Sequence, residues 1–397
     1  MKITILSFIL MLLFTGCADQ VVEAPTEIPD EEIVVVPDKP EIVEEEPVEV
    51  EPEKRVSFYG VGDNLIHSSI YQHAHVGDGV YDFKPIYKNI AADIQGADLA
   101  YINQETVLGG DDRGFSGYPA FNTPSDMAGN LVELGFDIVN GSNNHTLDIG
   151  TTGLLNSLAY WSEYEDEVLF TGAFESQQHR DAIPVVEHDG ITFSVLTYTY
   201  GTNGIQPDTP YRLNYFDADL ISDDVARAKE LSDFVVVAAH WGDEHAFYPN
   251  QMQLDYAQLF ADLEVDVVLG SHSHTIQPIE WVTGESGYET LVIYSFGNLI
   301  AASVSDVNLL GGAVSFDFVK DEEMQAIENI SFDPFVIHYE AATPGKITTR
   351  TNFEVIKLRD YTPELEQRHA LNGHEGNVIS AQIYQEKVNE VIAEEFR

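Results

Sequence analysis

The chain has 397 residues and a formal net charge of −48. That length allows one large domain or two ordinary ones, with ample apolar material for a core. So acidic a chain lacks the basic surface that phosphate contacts need, which argues against nucleic-acid binding, and it also repels anionic lipid and polyanions.

The N-terminus carries a short basic region at Lys2, then the apolar stretch from Ile3 to Phe14. That stretch is too short to span a bilayer comfortably. Thr15 and Gly16 lead into Cys17, the only cysteine. The run Phe14-Thr15-Gly16-Cys17 resembles a bacterial lipobox, which predicts a lipoprotein signal peptide over residues 1–17 and a lipid on Cys17. Phe14 departs from the aliphatic residue usual there, and an ordinary signal peptide or an uncleaved anchor is the competing reading. With Cys17 modified, no thiol remains for a disulfide or a thiolate metal site.

Residues 18–54 mix Pro, Glu and Val, as in Glu44-Glu45-Glu46-Pro47-Val48-Glu49. Like charges and prolines forbid a packed core, so this stretch predicts a self-repelling, disordered linker. Its reach is at most on the order of 100 Å.

A domain over residues 55–320 is expected next. Strands are predicted at Val56–Val61, Leu99–Asn103, Ile138–Gly141, Phe193–Tyr198, Phe234–Ala239, Val265–Gly270, Leu291–Ser295 and Ala313–Phe318. Helical faces fall between them: Leu154, Leu158 and Trp161 share one, and Tyr256, Leu259, Phe260 and Leu263 share another. Such alternation argues for α/β layers with partly parallel sheets. Residues 321–397 read as further strands and a terminal helix from about Ser380, which either complete the domain or cap it.

The polar signals sit where strands end. Val56–Val61 runs into Gly62-Asp63-Asn64-Leu65-Ile66-His67, and Leu99–Ile102 into Asn103-Gln104-Glu105. Ile138–Val139 leads to Asn143-Asn144-His145-Thr146-Leu147-Asp148, Val235–Ala239 to His240-Trp241-Gly242-Asp243-Glu244, and Val267–Leu269 to Gly270-Ser271-His272-Ser273-His274. Carboxyl ends of strands in open α/β sheets converge on a crevice, so five such loops can form one site. Carboxylate, imidazole and amide oxygen suit Mn, Fe or Zn, and a bridging carboxylate can hold two ions that activate water for displacement at phosphorus. Each piece alone has a plainer reading: Asp63 as a turn residue, Glu105 as a helix cap, His240 as a core histidine.

In this order, ending in Ser295-Phe296-Gly297-Asn298, the motifs resemble the CapA family of capsule (poly-γ-glutamate) synthesis over roughly Val56 to Ala301. That family is similar to calcineurin-like metallophosphoesterases. The resemblance implies a four-layer sandwich of two mixed β-sheets flanked by helices, with two divalent metal ions. It implies Asp63 and His274 on one metal, Asn144, His240 and His272 on the other, and Glu105 bridging. His145 would be the general acid, oriented by Asp148. The phosphoesterase pattern begins Asp-x-His, whereas Leu65 stands here, so a ligand is missing unless His67 reaches back. Asn103, and Asn203 in the loop Thr197–Gly204, are expected to contact substrate. Arg113 and Arg212, among few cations, could clamp an anionic polymer or phosphoester; surface ion pairing is the alternative. The lipobox predicts a lipid-anchored protein on the extracytoplasmic face of the cell membrane, and the resemblance implies membrane polymer-synthesis proteins as partners. The protein acts there either as a metal-dependent hydrolase or as a non-catalytic accessory scaffold.

Overall fold

The computed structural model describes residues 53–322 and 324–397. The signal peptide, Cys17 and nearly all of the acidic linker lie outside the described residues.

The strands, in chain order, are β1 (Lys54–Asn64), β2 (His75–Gly77), β3 (Val80–Tyr81), β4 (Leu99–Asn103), β5 (Ile138–Asn140), β6 (Leu169–Thr171), β7 (Val185–His188) and β8 (Ile191–Thr199). They continue as β9 (Phe234–His240), β10 (Val267–Ser271), β11 (Ile279–Thr283), β12 (Glu289–Ile293), β13 (Asn298–Ile300), β14 (Leu310–Lys320), β15 (Gln325–Ala341) and β16 (Arg350–Lys357). Two mixed sheets result. One runs β16-β15-β14-β1-β4-β5-β6, with β13 pairing to β1, and the other runs β11-β12-β10-β9-β8-β7. β1, β4, β5 and β6 are mutually parallel, as are β8, β9, β10 and β12, so the carboxyl ends of each set share an edge.

Burial of both sheet faces follows from the strand period of two. In β9, Phe234, Val236 and Ala238 point into a core shared with Phe58, Phe316 and Phe318 of the first sheet. Val235, Val237 and Ala239 point the other way, onto Ile221, Val225 and Phe260. Those residues belong to the helices Ala218–Lys229 and Gln251–Asp262. Such runs of β-branched residues are what a strand covered on both sides requires. The helix Gln251–Asp262 starts at a reciprocal cap, in which Asn250 accepts from the Gln253 backbone and Gln253 reaches back to the Asn250 amide. On the first sheet, the helix Asp126–Leu134 buries Met127 and Leu131, and the helix Gly150–Ser162 stacks Trp161 on Phe170 at 5.0 Å. The layers are helix, sheet, sheet, helix, as the sequence implies.

Residues beyond 320 extend this core. β15 and β16 continue the first sheet antiparallel from β14. The helix Ala381–Val391 follows Ser380 and buries Tyr384, Val388 and Val391 in the main core.

Candidate metal centre

Asp63 comes to the crevice at an irregularity in β1. The register slips between Val61 and Asp63 against β4, and again between Asp63 and Asn64 against β13. Such a slip re-aims a side chain. Gly62 permits it, because a Cβ there would lie 2.0 Å from the Gly297 carbonyl oxygen. The Asp63 amide donates to that same carbonyl at 3.0 Å. The Asp63 carboxylate accepts from Asn103 Nδ2 at 2.8 Å, meets His274 Nδ1 at 3.0 Å and takes the His272 amide at 3.3 Å. Asn103 is itself fixed by Asn140 Nδ2, which donates to its Oδ1 at 3.0 Å. Asn103 is fully buried, and its bond to Asp63 orients that carboxylate.

Glu105 lies at the centre and is fully buried. Its Oε1 is 3.7 Å from both His240 Nε2 and His274 Nε2. Among the described residues neither carboxylate oxygen has a hydrogen-bond partner, and neither does the buried His272 Nδ1. His240 Nε2 lies 2.9 Å from Asn144 Oδ1 while its Nδ1 meets Ser271 Oγ at 2.8 Å. His272 and His274 both adopt positive φ, +97° and +58°, an uncommon backbone that turns their rings toward the crevice. Three groups of potential ligand atoms, each within 4.8 Å of one another, result: Glu105 with His240 and His272, Asp63 with Glu105 and His274, and Glu244 with His272 and His274.

The electrostatics agree with the geometry. Burial pushes the Glu105 carboxyl well above the usual carboxylate range. Burial also works against charge on His274, but Glu105 and Asp63 outweigh it and raise that imidazole to about 10. Both directions say that the cluster is short of positive charge. Burial, with the neighbouring imidazoles, holds His240 and His272 well below the usual range, so they stay neutral and can ligate. An unpaired buried carboxylate costs several kcal/mol. A divalent cation removes that cost, and this mixed oxygen and nitrogen set suits one. The residues therefore fit the metal.

His145 stands at the edge of the cluster. Its Nδ1 is 2.7 Å from Asp148 Oδ2, which also accepts from the Phe121 amide at 2.7 Å. Phe121 sits edge-on to the imidazole at 4.7 Å. Asn203 Nδ2 approaches His145 Nδ1 at 3.3 Å, and Asn203 Oδ1 accepts from Asn144 at 3.3 Å. Asn203, at φ +50°, thus stands between His145 and Asn144.

Not every expected residue joins. His67 enters none of the three groups. Its Nδ1 faces the Leu65 carbonyl at 3.1 Å and the Ala302 amide at 3.3 Å, and burial lowers the ring to about 4. Arg212 is not aimed at the crevice: its guanidinium bonds Asp208 at 2.8 Å and the Phe174 and Glu175 carbonyls at 3.2 and 2.7 Å. Arg113 is exposed in the short turn Asp111–Arg113. Two contributors were not assigned from sequence. Tyr200 lies over His272 at 4.4 Å, and burial together with Glu244 and Glu105 pushes its hydroxyl up to about 12. Glu244 ends the motif His240-Trp241-Gly242-Asp243-Glu244, whose fixed spacing from His240 was the available signal.

The profile of the bacterial capsule synthesis protein PGA_cap family matches residues 57–303, well over half the chain. The chain belongs to this family. Among its PGA_cap relatives, the PGA biosynthesis protein CapA of Bacillus subtilis strain 168 is 28% identical over 173 residues, 43% of this chain and 44% of the relative. The capsule biosynthesis protein CapA of Bacillus anthracis is 25% identical over 177 residues, 43% of this chain and 41% of the relative. The chain thus matches less than half the length of either. A solved structure of a phosphatase from Mycoplasma pneumoniae superposes with a TM-score of 0.42 at 12% identity, over 72% of this chain and 95% of that one.

Proposed function

We propose that this PGA_cap protein is a lipid-anchored, extracytoplasmic component of capsule or envelope polymer synthesis, of the poly-γ-glutamate type, that hydrolyses a phosphoester-type bond at a two-metal site. The observation that carries the reading is Glu105, a fully buried carboxylate with no hydrogen bond on either oxygen and an imidazole 3.7 Å away on each side. On this reading Asp63, Glu105 and His274 hold one ion, and Glu105, Asn144, His240 and His272 hold the other, of Mn, Fe or Zn class. Divalent ions so held supply Lewis acidity and make water nucleophilic near neutral pH. The chain's own groups do the rest. Asp148 keeps the His145 Nδ1 protonated and leaves Nε2 to give its proton to the departing oxygen as water attacks phosphorus and the ester bond breaks. Asn203 accepts from Asn144 beside the imidazole. Anchoring through Cys17 would keep the site at the membrane, where polymer-synthesis partners work. Among the described residues no helix is long and apolar enough to cross a membrane.

A second reading, an accessory scaffold without catalysis, is favoured by one feature: Leu65 replaces the histidine of the Asp-x-His pattern and His67 does not take its place. Metal analysis of purified protein, with a phosphomonoester and phosphodiester screen in added Mn, separates the two. The hydrolase reading expects bound metal and a turnover that His145→Ala lowers about 100-fold or more. Bound metal without turnover of any ester would leave the scaffold.

A further inference from the structure

Glu244 is an exposed residue in the one ligand group that draws on both halves of the centre. Glu105 belongs to the group with His240 and His272 and also to the group with Asp63 and His274. Glu244 reaches one histidine of each, His272 and His274. Glu105 is buried beneath the imidazoles, whereas the Glu244 side chain is 52% exposed. The two carboxylates therefore address the same pair of positions from inside and from solvent.

Exposed carboxylates usually wander, but the backbone that carries this one is fixed on both sides, and its Oε2 lies 3.8 Å from His245 Nε2. Two residues before it, Gly242 has φ +92°, and a Cβ there would lie 2.5 Å from Gln253 Oε1. Gln253 is fixed in turn by its helix cap and by donating to Gln277 at 2.7 Å. One residue after it, the His245 amide donates to the carbonyl of Ser273, the residue between His272 and His274, at 2.7 Å. His245 Nδ1 is also 2.9 Å from Asn308 Oδ1. The loop is thus pinned to the segment that presents the two imidazoles, with the Glu244 carboxylate between its anchors.

We propose that Glu244 is a metal ligand that closes the centre on its solvent side, opposite Glu105, and makes good the ligand that Leu65 fails to supply. The proposal rests on the two-metal reading above. Glu244 is the ligand most open to displacement, because it alone of the set faces solvent. An incoming phosphoester oxygen would take its place on the ions, so affinity for metal and access for substrate meet at one residue.

The test is metal binding to the intact protein, with Mn as the probe, by equilibrium dialysis and by calorimetry. Glu244→Gln keeps the size and removes the charge. It is expected to weaken Mn binding about tenfold or more, while Asp243→Asn, next to it on the same loop, leaves affinity within twofold. Ligation also predicts that the Glu244→Gln loss persists in 1 M salt, where the Debye length is about 3 Å. A loss that vanishes in salt would reduce Glu244 to a through-space charge and overturn the proposal. So would wild-type affinity in Glu244→Gln when His240→Ala, as a reference, has lost it; in that case the two-metal reading stands. A wild-type protein that binds no Mn overturns both.

Discussion

Glu105 allows two effects that normally oppose each other to be read in one variant. In Glu105→Gln the buried charge disappears while the volume stays. The metal-free protein is expected to gain stability, by about 1–3 kcal/mol in urea unfolding, because an unpaired buried carboxylate is removed. Bound metal should fall at least about 100-fold, since the group shared by two ligand sets is lost. A variant that loses stability and keeps metal would contradict both the burial and the bridging argument. His369 provides a separate test by pH. Its Nε2 faces the Ile337 carbonyl at 3.2 Å and its Nδ1 accepts from the Leu371 amide at 3.1 Å, so both nitrogens are committed to the neutral ring. Burial, with His338 nearby, lowers it to about 3. The unfolded chain then binds the proton first as pH falls below about 6.5, and stability is lost progressively from there toward the folded value. Between pH 7 and pH 5 this group alone should account for about 2 kcal/mol, which His369→Gln would remove from the slope.

At the level of elements, the approach of β1 to the segment before β13 sets the position of Asp63. Gly62→Ala places a methyl 2.0 Å from the Gly297 oxygen, so backbone must move. A loss of about 1–3 kcal/mol is expected, with weakened metal binding as Asp63 shifts. Gly96→Ala, with open space around it at the end of the helix Ala91–Gly96, should be neutral or slightly stabilising by the same measurement. The elements that carry the site were legible in the chain because burial on both faces leaves continuous apolar runs, as in Phe234–Ala239, and a polar loop follows each one. β6, β7, β11 and β13 were not. β6 and β13 have three residues each, too short for a period to register. β11 is an edge strand with mostly exposed side chains, so its sequence Ile-Glu-Trp-Val-Thr carries little pattern. Of the residues picked out from the loops, Asp63, Glu105, His240, His272 and His274 lie together, while His67 and Arg212 bond elsewhere. It was not legible which of them face inward: Asn103 holds Asp63 through a hydrogen bond across 40 residues, and Arg212 turns to the Phe174 and Glu175 carbonyls 38 and 37 residues away, contacts that leave no trace in spacing.

For the whole molecule, the last segment is part of the core. Ending the chain after Asn377 would delete Ile379, Tyr384, Val388, Val391, Ile392 and Phe396, all buried among residues of the first sheet. Each such side chain contributes about 1.5–3 kcal/mol, and their sum, about 9–18 kcal/mol, is as large as the 5–15 kcal/mol by which domains of this kind are stable. No cooperative unfolding transition is expected from the truncated protein in circular dichroism. The charge of −48 acts at the same scale. Self-repulsion is screened by salt, so the melting temperature of the intact protein should climb by several degrees between low and molar salt. An unchanged melt would dismiss that repulsion as a factor.

The candidate ligands come from two different sheets: Asp63 lies near the end of β1 and Glu105 follows β4, while His240 ends β9 and His272 and His274 follow β10. Cations bound there would act as a rivet through the seam between the sheets. Chelation should then loosen more than the loops it touches. Amide hydrogens along β1 and β10 would exchange faster, and the two halves of the sandwich would begin to open independently of one another.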